Sequence, residues 1–539
     1  MTITPMAAPA RAQEALDRVA PNASTRESAP TEAVGPAAKT RVEIDAPSGS
    51  AASTSGSLLV GAVTLKGLQV LRPADFADIV SERVGRTLEP ADLSALATAV
   101  ADRARDKGLA FATASIGAQR LPNGILTIDV DEGRIDELRF DGPVQPAVRA
   151  ALAPLADGRV ARLSEVERRL LIAGDIDGVV IANSRFFREN GRGILLVKVG
   201  RERVAARVAL SNDGTRPLGP LQMRIDVDLN GLLASDDSVT LTWSGTPVEP
   251  GELQFGRIRY AKRINRGGTE LALTASGSAA RPGAYLDRLD IESRSWFVGA
   301  SLLQPLARRR AESLWLEAEL GVRDLRQWRA DERVRHDRLT VARLTLYGYS
   351  SVAGGRLRVS TTLSQGLGLF GSTGPRDPLA SRYDADGTFT SLSAWADWTR
   401  SFGGDFSIRL AALSQLASQP LLIAEETSLG GTAFLRGYDW SERTGDEGAM
   451  GMAELRYDWK RPFGLLRRAQ LYAYVDGGEV ENLDAGFGGG ALASAGGGVR
   501  ADITRRTGAN FELAVPLSGP RYDTGDRAPK LNFRLVRSF

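Results

Sequence analysis

Beyond residue 203 the chain alternates apolar and polar residues at every second position for more than 300 residues. The alternation is most regular in four segments, where one face is apolar and the other polar or charged: 221–230, 239–244, 356–364 and 453–460. Such alternation predicts β-strands that lie between a wet and an apolar environment. At about 21 residues for a strand with its loop, residues 203–539 hold roughly 16 strands, an even number that can close into a barrel.

A water-soluble β-sandwich would show the same alternation, so other features must decide between the two. The alternating part has no helical segment to cover it and exceeds the usual size of a sandwich domain. Trp243, Tyr457 and Trp459 stand near strand ends on the apolar face, where membrane barrels carry an aromatic girdle. Short connections alternate with long ones rich in Gly, Asp and Arg. We therefore predict that residues 203–539 form a transmembrane β-barrel.

Residues 58–202 predict two small α/β units, each with the order β-α-α-β-β. In the first unit, residues 58–133, we expect strands at 59–65, 110–116 and 125–130 and helices at 73–83 and 90–107. In the second unit, residues 134–202, we expect strands at 134–140, 179–185 and 194–199 and helices at 144–155 and 163–173.

Residues 1–57 form a tail and linker dominated by Ala, Pro, Ser, Thr, Gly and charged residues, which cannot fold alone. Residues 1–12 end in Ala-Arg-Ala, which looks like the cleavage end of a secretory signal. The apolar segment that should precede it is missing, so we expect the true start to lie upstream. Residues 13–20 can form about two helical turns, either within a disordered tail or as a short helix docked downstream.

The composition excludes several classes of protein. There is no Cys and His336 is the one His, which excludes Cys/His zinc sites, thiol nucleophiles and disulfides. His336 lies in a charged segment, 333–337, that we interpret as a solvated loop, and no Gly-x-Ser-x-Gly elbow occurs. The 68 basic and 65 acidic residues are too evenly balanced for a nucleic-acid footprint. We predict no catalytic residue, cofactor, metal site or nucleic-acid partner.

Two segments of the barrel stand out as candidates for a mechanism. The first is a long loop whose tip carries Leu435, Arg436, Gly437 and Tyr438. The second, 471–478, follows one hairpin later, and its alternation points Tyr472, Tyr474 and Asp476 into the lumen. A carboxylate in that position is costly unless it is paired. An Arg-Gly-Tyr tripeptide taken alone would serve a solvated hairpin equally well.

The order of these features resembles the outer-membrane transporters of two-partner secretion, the FhaC/ShlB group. The two α/β units are similar to POTRA domains, the polypeptide-binding modules of such transporters. Residues 108–113 and 119–133 resemble the first domain of these transporters, and residues 170–179 resemble the second. One departure is Gly117-Ala118, where the family usually has a Pro near Gln119.

The resemblance also implies roles for the two barrel segments. In this superfamily, which includes the barrel-assembly insertases, the tip of the sixth outer loop folds back into the barrel. Its Arg pairs with the Asp of an aromatic-x-Asp strand motif. The implied pair is Arg436 with Asp476, beside Tyr474, joined by two parallel charge-assisted bonds. Gly437 would let the loop tip turn sharply, and Tyr438 would pack against the wall.

The last predicted strand carries Leu531, Phe533, Leu535 and Phe539 on one face, with Arg537 as the single interruption. Phe539 resembles the terminal aromatic residue by which outer-membrane barrels are delivered to the barrel-assembly machinery. The implied partners are therefore that machinery, outer-membrane lipid and a secreted partner protein of the TpsA type.

The resemblance implies a mainly β protein of the Gram-negative outer membrane, with a 16-stranded barrel, two periplasmic POTRA domains and a plug helix at 13–20. It implies export of an unfolded partner, such as a haemolysin or adhesin, which the POTRA domains bind and the barrel conducts. One alternative is an insertase of the same superfamily, although insertases have three or more POTRA domains. Another is a passive porin, which leaves residues 58–202 without a role. We do not expect an enzyme.

Overall fold

The computed structural model describes residues 42–45, 49–51, 57–121, 123–484, 486 and 488–539. The predicted helix at 13–20 lies outside these residues. Up to residue 201 the described strands are β1 (Val42–Asp45), β2 (Gly49–Ala51), β3 (Leu58–Val60), β4 (Ala62–Lys66), β5 (Arg86–Leu88), β6 (Thr113–Ile116), β7 (Ile125–Asp131), β8 (Glu137–Asp141), β9 (Val179–Glu189) and β10 (Arg192–Arg201). The α-helices are α1 (Ala77–Ser81), α2 (Pro90–Asp106), α3 (Pro146–Leu152) and α4 (Leu163–Gly174), with short 3-10 helices at Pro73–Phe76 and Ala153–Ala156.

Two four-stranded sheets, each with helices packed on it, form the two α/β units. Their strand orders are β2-β6-β7-β4 and β1-β9-β10-β8. Helix α2 begins at Pro90, after a capping box in which the Glu89 N–H donates to Asp92 Oδ2 at 3.0 Å. Its apolar stripe, which includes Leu93 and Val100, is buried against the first sheet. The predicted fold of these units is confirmed.

The first unit differs from the prediction in its connections. The expected strand at 59–65 is divided into β3 and β4 at Gly61, whose N–H donates to the Gly124 carbonyl oxygen at 2.7 Å. Strand β3 then pairs with β5, a short strand that the sequence pattern did not predict. Strand β6 begins at Thr113 and not at 110, because Leu109 and Ala112 close a turn after α2.

The linker contributes a strand to each unit. β1 pairs in parallel with β9, and β2 pairs in parallel with β6. Residues 42–51 lie within the segment expected to be a tail and linker without structure of its own. The prediction missed these strands because a short segment can pair with an existing sheet edge without a hydrophobic core.

The rest of the chain forms a closed antiparallel barrel of 16 strands, as predicted. They are β11 (Val204–Ser211), β12 (Gln222–Asn230), β13 (Asp237–Gly245), β14 (Gln254–Arg263), β15 (Glu270–Ala280), β16 (Ile291–Arg308), β17 (Ser313–Arg329), β18 (Glu332–Val352), β19 (Gly355–Leu367), β20 (Thr390–Gly403), β21 (Phe406–Ala417), β24 (Glu447–Lys460), β25 (Arg468–Glu481), β26 (Gly490–Asp502), β27 (Thr507–Pro516) and β28 (Lys530–Ser538). Antiparallel pairing of β11 with β28 closes the ring. Two short strands, β22 (Thr427–Leu429) and β23 (Arg443–Gly445), pair with each other and are not part of the barrel sheet. Short 3-10 helices lie at Ala284–Leu289 and Pro462–Gly464.

The barrel wall is apolar outside and polar inside. Outward side chains such as Leu241, Val298 and Val475 are exposed, as lipid-facing residues of a barrel are. Inward side chains form ion pairs, for example Arg409 with Asp397. Of the helices in the described ranges, none is long and apolar enough to cross a membrane.

Connections on the side of the α/β units are short, and those on the far side are mostly long. The fourth far-side connection is an exception, since it contains only Ala330 and Asp331, both with positive φ, 47° and 66°. The interpretation of 333–337 as a loop is therefore wrong, because these residues belong to β18. His336 pairs in register with Arg326, and its Nε2 lies 3.0 Å from Asp324 Oδ2. A hairpin that rises beyond the membrane can be polar on both faces, so the alternation that marks the other strands is missing.

The second α/β unit is docked on the barrel rim. The carboxylate of Asp175, the residue after α4, accepts hydrogen bonds at 2.7 and 2.6 Å from Nε and Nη2 of Arg308 at the end of β16. Arg263, at the end of β14, donates to the Asp175 carbonyl oxygen at 2.7 Å. Ser238, at the start of β13, donates to the Asp177 carboxylate. The unit thus touches the three turns that join β12 to β13, β14 to β15 and β16 to β17.

Candidate functional site

The loop between β21 and β24, residues 418–446, folds inward and fills part of the barrel. It is the sixth connection on the far side. The β22–β23 hairpin forms its stem, and the tip follows. Leu435 and Tyr438 at the tip are fully buried, and they pack in one cluster with Trp395 and Met450 of the wall. The tip residues are therefore enclosed by the barrel and do not extend into solvent.

Arg436 is the centre of a buried ion-pair network. Its side chain is only 6% exposed. Nη1 donates to Glu454 Oε2 at 3.1 Å and to Glu512 Oε2 at 2.9 Å. Nε lies 3.6 Å from Asp476 Oδ2, and the Arg436 backbone N–H donates to the same oxygen at 3.3 Å. The structure thus brings Arg436 and Asp476 together, but the two parallel bonds implied by the resemblance are absent, because Nη1 points to the two glutamates.

Tyr474 forms a platform for the guanidinium. The central carbon of the Arg436 guanidinium lies 3.3 Å from the centre of the Tyr474 ring. The ring extends over the neighbouring strand β26, where Gly496 is its register partner. A Cβ at Gly496 would stand 2.6 Å from the Tyr474 hydroxyl oxygen, so only glycine leaves room for the ring. Gly498 makes room for Tyr472 in the same way, because a Cβ at Gly498 would lie 2.8 Å from the Tyr472 hydroxyl oxygen.

Ser494 joins the loop backbone to Asp476. Its hydroxyl accepts a hydrogen bond from the Gly437 N–H at 3.1 Å and donates to Asp476 Oδ1. Asp476 and Ser494 are directly opposite each other on β25 and β26. Asp476 therefore holds the loop directly through the Arg436 N–H and side chain, and through Ser494 it also holds the Gly437 N–H.

Gly437 lies in the tight turn expected at the loop tip, where the Tyr438 N–H donates to the Leu435 carbonyl oxygen at 2.9 Å. The residue in the left-handed region at the tip is Leu435, with φ of 57°, and Gly437 is not among the positive-φ residues. Gly437 is instead required for space, because its Cβ would lie 2.9 Å from Ser494 Cβ and 3.0 Å from the Pro516 nitrogen. A side chain here would push the tip away from the wall.

Further contacts secure both ends of the loop. Beyond the tip, the Tyr438 hydroxyl donates to the Gly519 carbonyl oxygen at 3.0 Å, and Lys530 Nζ donates to Asp439 at 2.6 Å. At the base, Arg382 from the preceding far-side connection donates to Asp446 at 2.7 Å and to Glu426 at 3.1 Å. The loop is thus bound along its length to the wall and to two neighbouring loops.

Sequence reasoning missed Glu454 and Glu512 as partners of Arg436. Glu454 is fully buried, and it also pairs with Arg456 and, at 2.9 Å, with Arg500. Glu512 accepts a hydrogen bond from the Tyr472 hydroxyl at 2.9 Å. Alternation does place both glutamates on the lumen face, which was the available signal. It does not show at what depth each lies or which strand stands opposite.

Phe539 lies apart from this network. It follows the end of β28, and its backbone N–H donates to the Ala206 carbonyl oxygen on β11 at 2.9 Å. Its ring is about half exposed, and the Arg537 guanidinium stands 5.1 Å from the ring centre.

Among the described residues, no cluster of His, Asp or Glu could hold a metal ion. The chemistry of the Arg436 network is charge pairing.

Comparisons with known proteins agree with this architecture. Residues 192–501 match the family described as haemolysin secretion/activation protein ShlB/FhaC/HecB, and residues 58–133 match the ShlB-type POTRA domain. The heme/hemopexin transporter protein HuxB of Haemophilus influenzae is 22% identical over 403 residues, 71% of this chain and 69% of HuxB.

Solved structures show the same fold. CdiB from Escherichia coli aligns over 100% of both chains with a TM-score of 0.71 and 20% identity. BamA from Haemophilus ducreyi, without its POTRA domains 1–3, aligns over 90% of this chain and 100% of its own with a TM-score of 0.53 and 13% identity. The chain belongs to the ShlB/FhaC/HecB family, the outer-membrane transporters of two-partner secretion, with its POTRA domains in the periplasm.

Proposed function

We propose that this transporter exports one large secreted protein, and that the inward loop around Arg436 closes the resting pore. The buried Arg436 is the observation that supports this proposal. Its ion pairs tie the loop tip to Glu454, Asp476 and Glu512, on three different strands of the wall. A loop fixed in this way occupies lumen space that an extended polypeptide must cross.

Opening the pore then requires the ion pairs to break or exchange. Removing one partner of a buried pair typically costs about 3–5 kcal/mol, so the closed loop is a stable resting state. Glu454 keeps Arg456 and Arg500 as neighbours when Arg436 leaves. The wall therefore retains paired charges in the open state, which lowers the cost of moving the loop.

The POTRA domains supply the receiving surface for the unfolded partner. An extended segment can add to the edge of a sheet by β-augmentation, with backbone hydrogen bonds that do not depend on sequence. The second POTRA domain is held on the rim by Asp175 and Arg308, so a segment bound to it lies next to the barrel mouth. The polar lumen then conducts the chain outward.

Folding of the cargo outside the cell supplies the free energy in this scheme. The sequence contains no Gly-x-x-x-x-Gly-Lys-Ser/Thr loop for nucleotide phosphates, and the periplasm holds no ATP. A cargo that folds on the outer surface cannot slide back. We propose a haemolysin-type or adhesin-type protein as the cargo, in line with the family description of haemolysin secretion.

In this proposal Phe539 acts before export begins, when the barrel is inserted into the outer membrane. An aromatic residue at the end of the last strand, exposed beside β11, is available to the barrel-assembly machinery before the ring closes. In the finished barrel its ring lies at the lipid boundary, where aromatic side chains are favoured.

The test is secretion of the partner protein into the medium. Cells that lack this chain are supplied with the wild type or with Asp476→Ala, and the partner is measured in medium and periplasm. We expect export with the wild type and none without this chain, and at equal barrel levels in the outer membrane Asp476→Ala should raise the ion conductance of the pore, because the loop tip loses one of the partners that hold it. Loss of other outer-membrane barrels in the deletion strain, with normal partner export, would instead support the insertase alternative.

A further inference from the structure

The linker before the first POTRA domain occupies one edge of each POTRA sheet. β1 lies alongside β9 with the register Val42 to Ser184 and Asp45 to Phe187. β2 lies alongside β6 with the register Gly49 to Ala114. In the described part of the chain, β1 and β2 are the terminal strands of their sheets, and β8 and β4 are the terminal strands on the opposite edges. The linker therefore stands where an incoming strand could add.

One short segment covers both edges. Only three residues of sequence, 46–48, separate β1 from β2. Because β1 belongs to the second domain and β2 to the first, the linker also joins the two domains to each other. Its removal would free two strand edges at once.

The linker is held by few contacts. β1 and β2 contain four and three residues, respectively. Val42 packs against the core of the second domain and Ala51 against the core of the first, while Ile44 is 36% exposed. Parallel pairing over so few residues, with small apolar anchors, can be displaced by a longer strand.

Strand β9 offers a starting point for that displacement. It runs from Val179 to Glu189, but β1 pairs only with its residues 184–187. Residues 179–183 have no strand partner on that side among the described residues. An extended segment can pair there first and then replace β1 residue by residue, so the exchange never requires a completely empty edge.

Gly49 shows that the β2 position is closely fitted. A Cβ on Gly49 would stand 2.6 Å from the carbonyl carbon of Ala97, within the backbone of α2. Helix backbone cannot move aside cheaply, so only glycine lets β2 lie on this edge. The same geometry gives a way to remove β2 without altering the receiving strand β6.

We propose that the linker strands β1 and β2 are placeholders on the receiving edges of the two POTRA sheets, and that an extended segment of the secreted partner must displace them before export. The proposal rests on the proposed export function and specifies where the partner first binds. It makes the linker a built-in inhibitor, because the edges become available only when a longer strand competes for them.

A reversible disulfide tests whether the linker must leave. Glu43 and Arg185 are register partners on β1 and β9, and the chain has no Cys, so Glu43→Cys with Arg185→Cys introduces one defined crosslink. We expect the oxidised full-length protein to export the partner at least tenfold less than the wild type in cells, and a reductant to restore export.

A second cysteine pair is the matched control. Glu189→Cys with Arg192→Cys joins β9 to β10 across their hairpin and leaves β1 free. We expect wild-type export in both redox states. Wild-type export by the crosslinked Glu43–Arg185 variant would overturn the proposal. Absence of partner export by the wild type itself would instead count against the proposed function.

Release of the linker should have the opposite effect. Gly49→Leu removes β2 from the edge of β6, whereas Gly117→Leu, in the same domain, adds its Cβ where no atom lies within 4 Å. The probe is the N-terminal segment of the secreted partner, purified in urea and diluted onto the full-length transporter. We expect it to associate several-fold faster with Gly49→Leu than with the wild type or Gly117→Leu. Equal association rates would contradict the placeholder role of β2.

Discussion

Arg436 stacks on Tyr474, with the central carbon of its guanidinium 3.3 Å from the ring centre. The stacking fixes the plane of the guanidinium, so its edge can face carboxylates on different strands at the same time. Glu454, Glu512 and Asp476 take these positions. The loop tip is therefore held by the shape of the cation as well as by its charge.

Arg436→Lys should impair the closed loop although the charge is kept. A lysine ammonium is a single compact donor group that cannot stack on Tyr474 and reach both glutamates. We expect a higher ion conductance in planar bilayers, because the loop is held less firmly in the pore, with normal barrel insertion measured by heat-modifiable mobility on gels. Arg259→Lys is the matched control, because Arg259 on β14 pairs with Glu270 on β15, away from the strands that hold the loop tip. Equal conductance of the two variants would argue against the role of stacking.

Gly437→Ala should displace the loop tip by volume alone. The added Cβ would lie 2.9 Å from Ser494 Cβ, and the hydrogen bond from the Gly437 N–H to Ser494 would lengthen. We expect higher ion conductance in planar bilayers, since the tip no longer seats in the wall. Gly508→Ala on β27 is the control, because its nearest contact would be an ordinary 3.7 Å. Conductance that is the same in both variants and in the wild type would refute the seating of Gly437.

The two aspartates after α4 should respond differently to neutralisation. Asp175→Asn weakens the paired bonds to Arg308 and should lower the melting temperature of the docked domain in calorimetry. Burial raises the pKa of the Asp177 carboxyl above its ordinary value, and the hydroxyl of Ser238 only partly opposes this. The docked state then binds a proton more readily than the unfolded state, so its stability falls as the pH rises above that ordinary value.

Asp177→Asn should remove this pH dependence, because the amide keeps an oxygen that can accept from Ser238. We expect a smaller loss of melting temperature between pH 4 and pH 8 in the variant than in the wild type, because this interval begins near the ordinary Asp pKa of about 3.9. An unchanged pH profile would show that Asp177 does not titrate in the docked state.

The predicted helix at 13–20 can be tested by conductance as well. Deletion of residues 1–30 should raise the conductance of the barrel if this segment plugs the pore. Deletion combined with Gly437→Ala should raise it further than either change, because the loop and the plug are separate obstacles. Unchanged conductance after the deletion would count against the plug.

The barrel was predictable because lipid imposes the same two-residue period on every spanning strand. Helix α2 was predictable because Leu93 and Val100 recur at helical spacing behind a Pro start. The pairing of Arg436 with Asp476 came from the resemblance and not from the pattern. The additional partner Glu512 was beyond reach, because contact between a loop tip and β27 depends on the register of several strands.

The linker strands were not predictable for a different reason. β1 and β2 are too short to show a period, and their pairing with β9 and β6 depends on edges that other segments create. His336 was misread because the β17–β18 hairpin extends past the apolar zone, where alternation no longer applies. For β1 and β2 the deciding contacts are distant in sequence and leave no local mark.

The docking of the second POTRA domain has a mechanical consequence. Its contacts lie on the turns of β12 to β17, whereas the carboxylates that hold Arg436 lie on β24, β25 and β27. In the strand order of the ring these two arcs are about half a circumference apart. A force that the domain exerts therefore acts on one side of the barrel, whereas the carboxylates that bind Arg436 lie on the other side. Mechanical coupling through the wall then requires the whole barrel to deform, so its strength depends on the stiffness of the intervening strands.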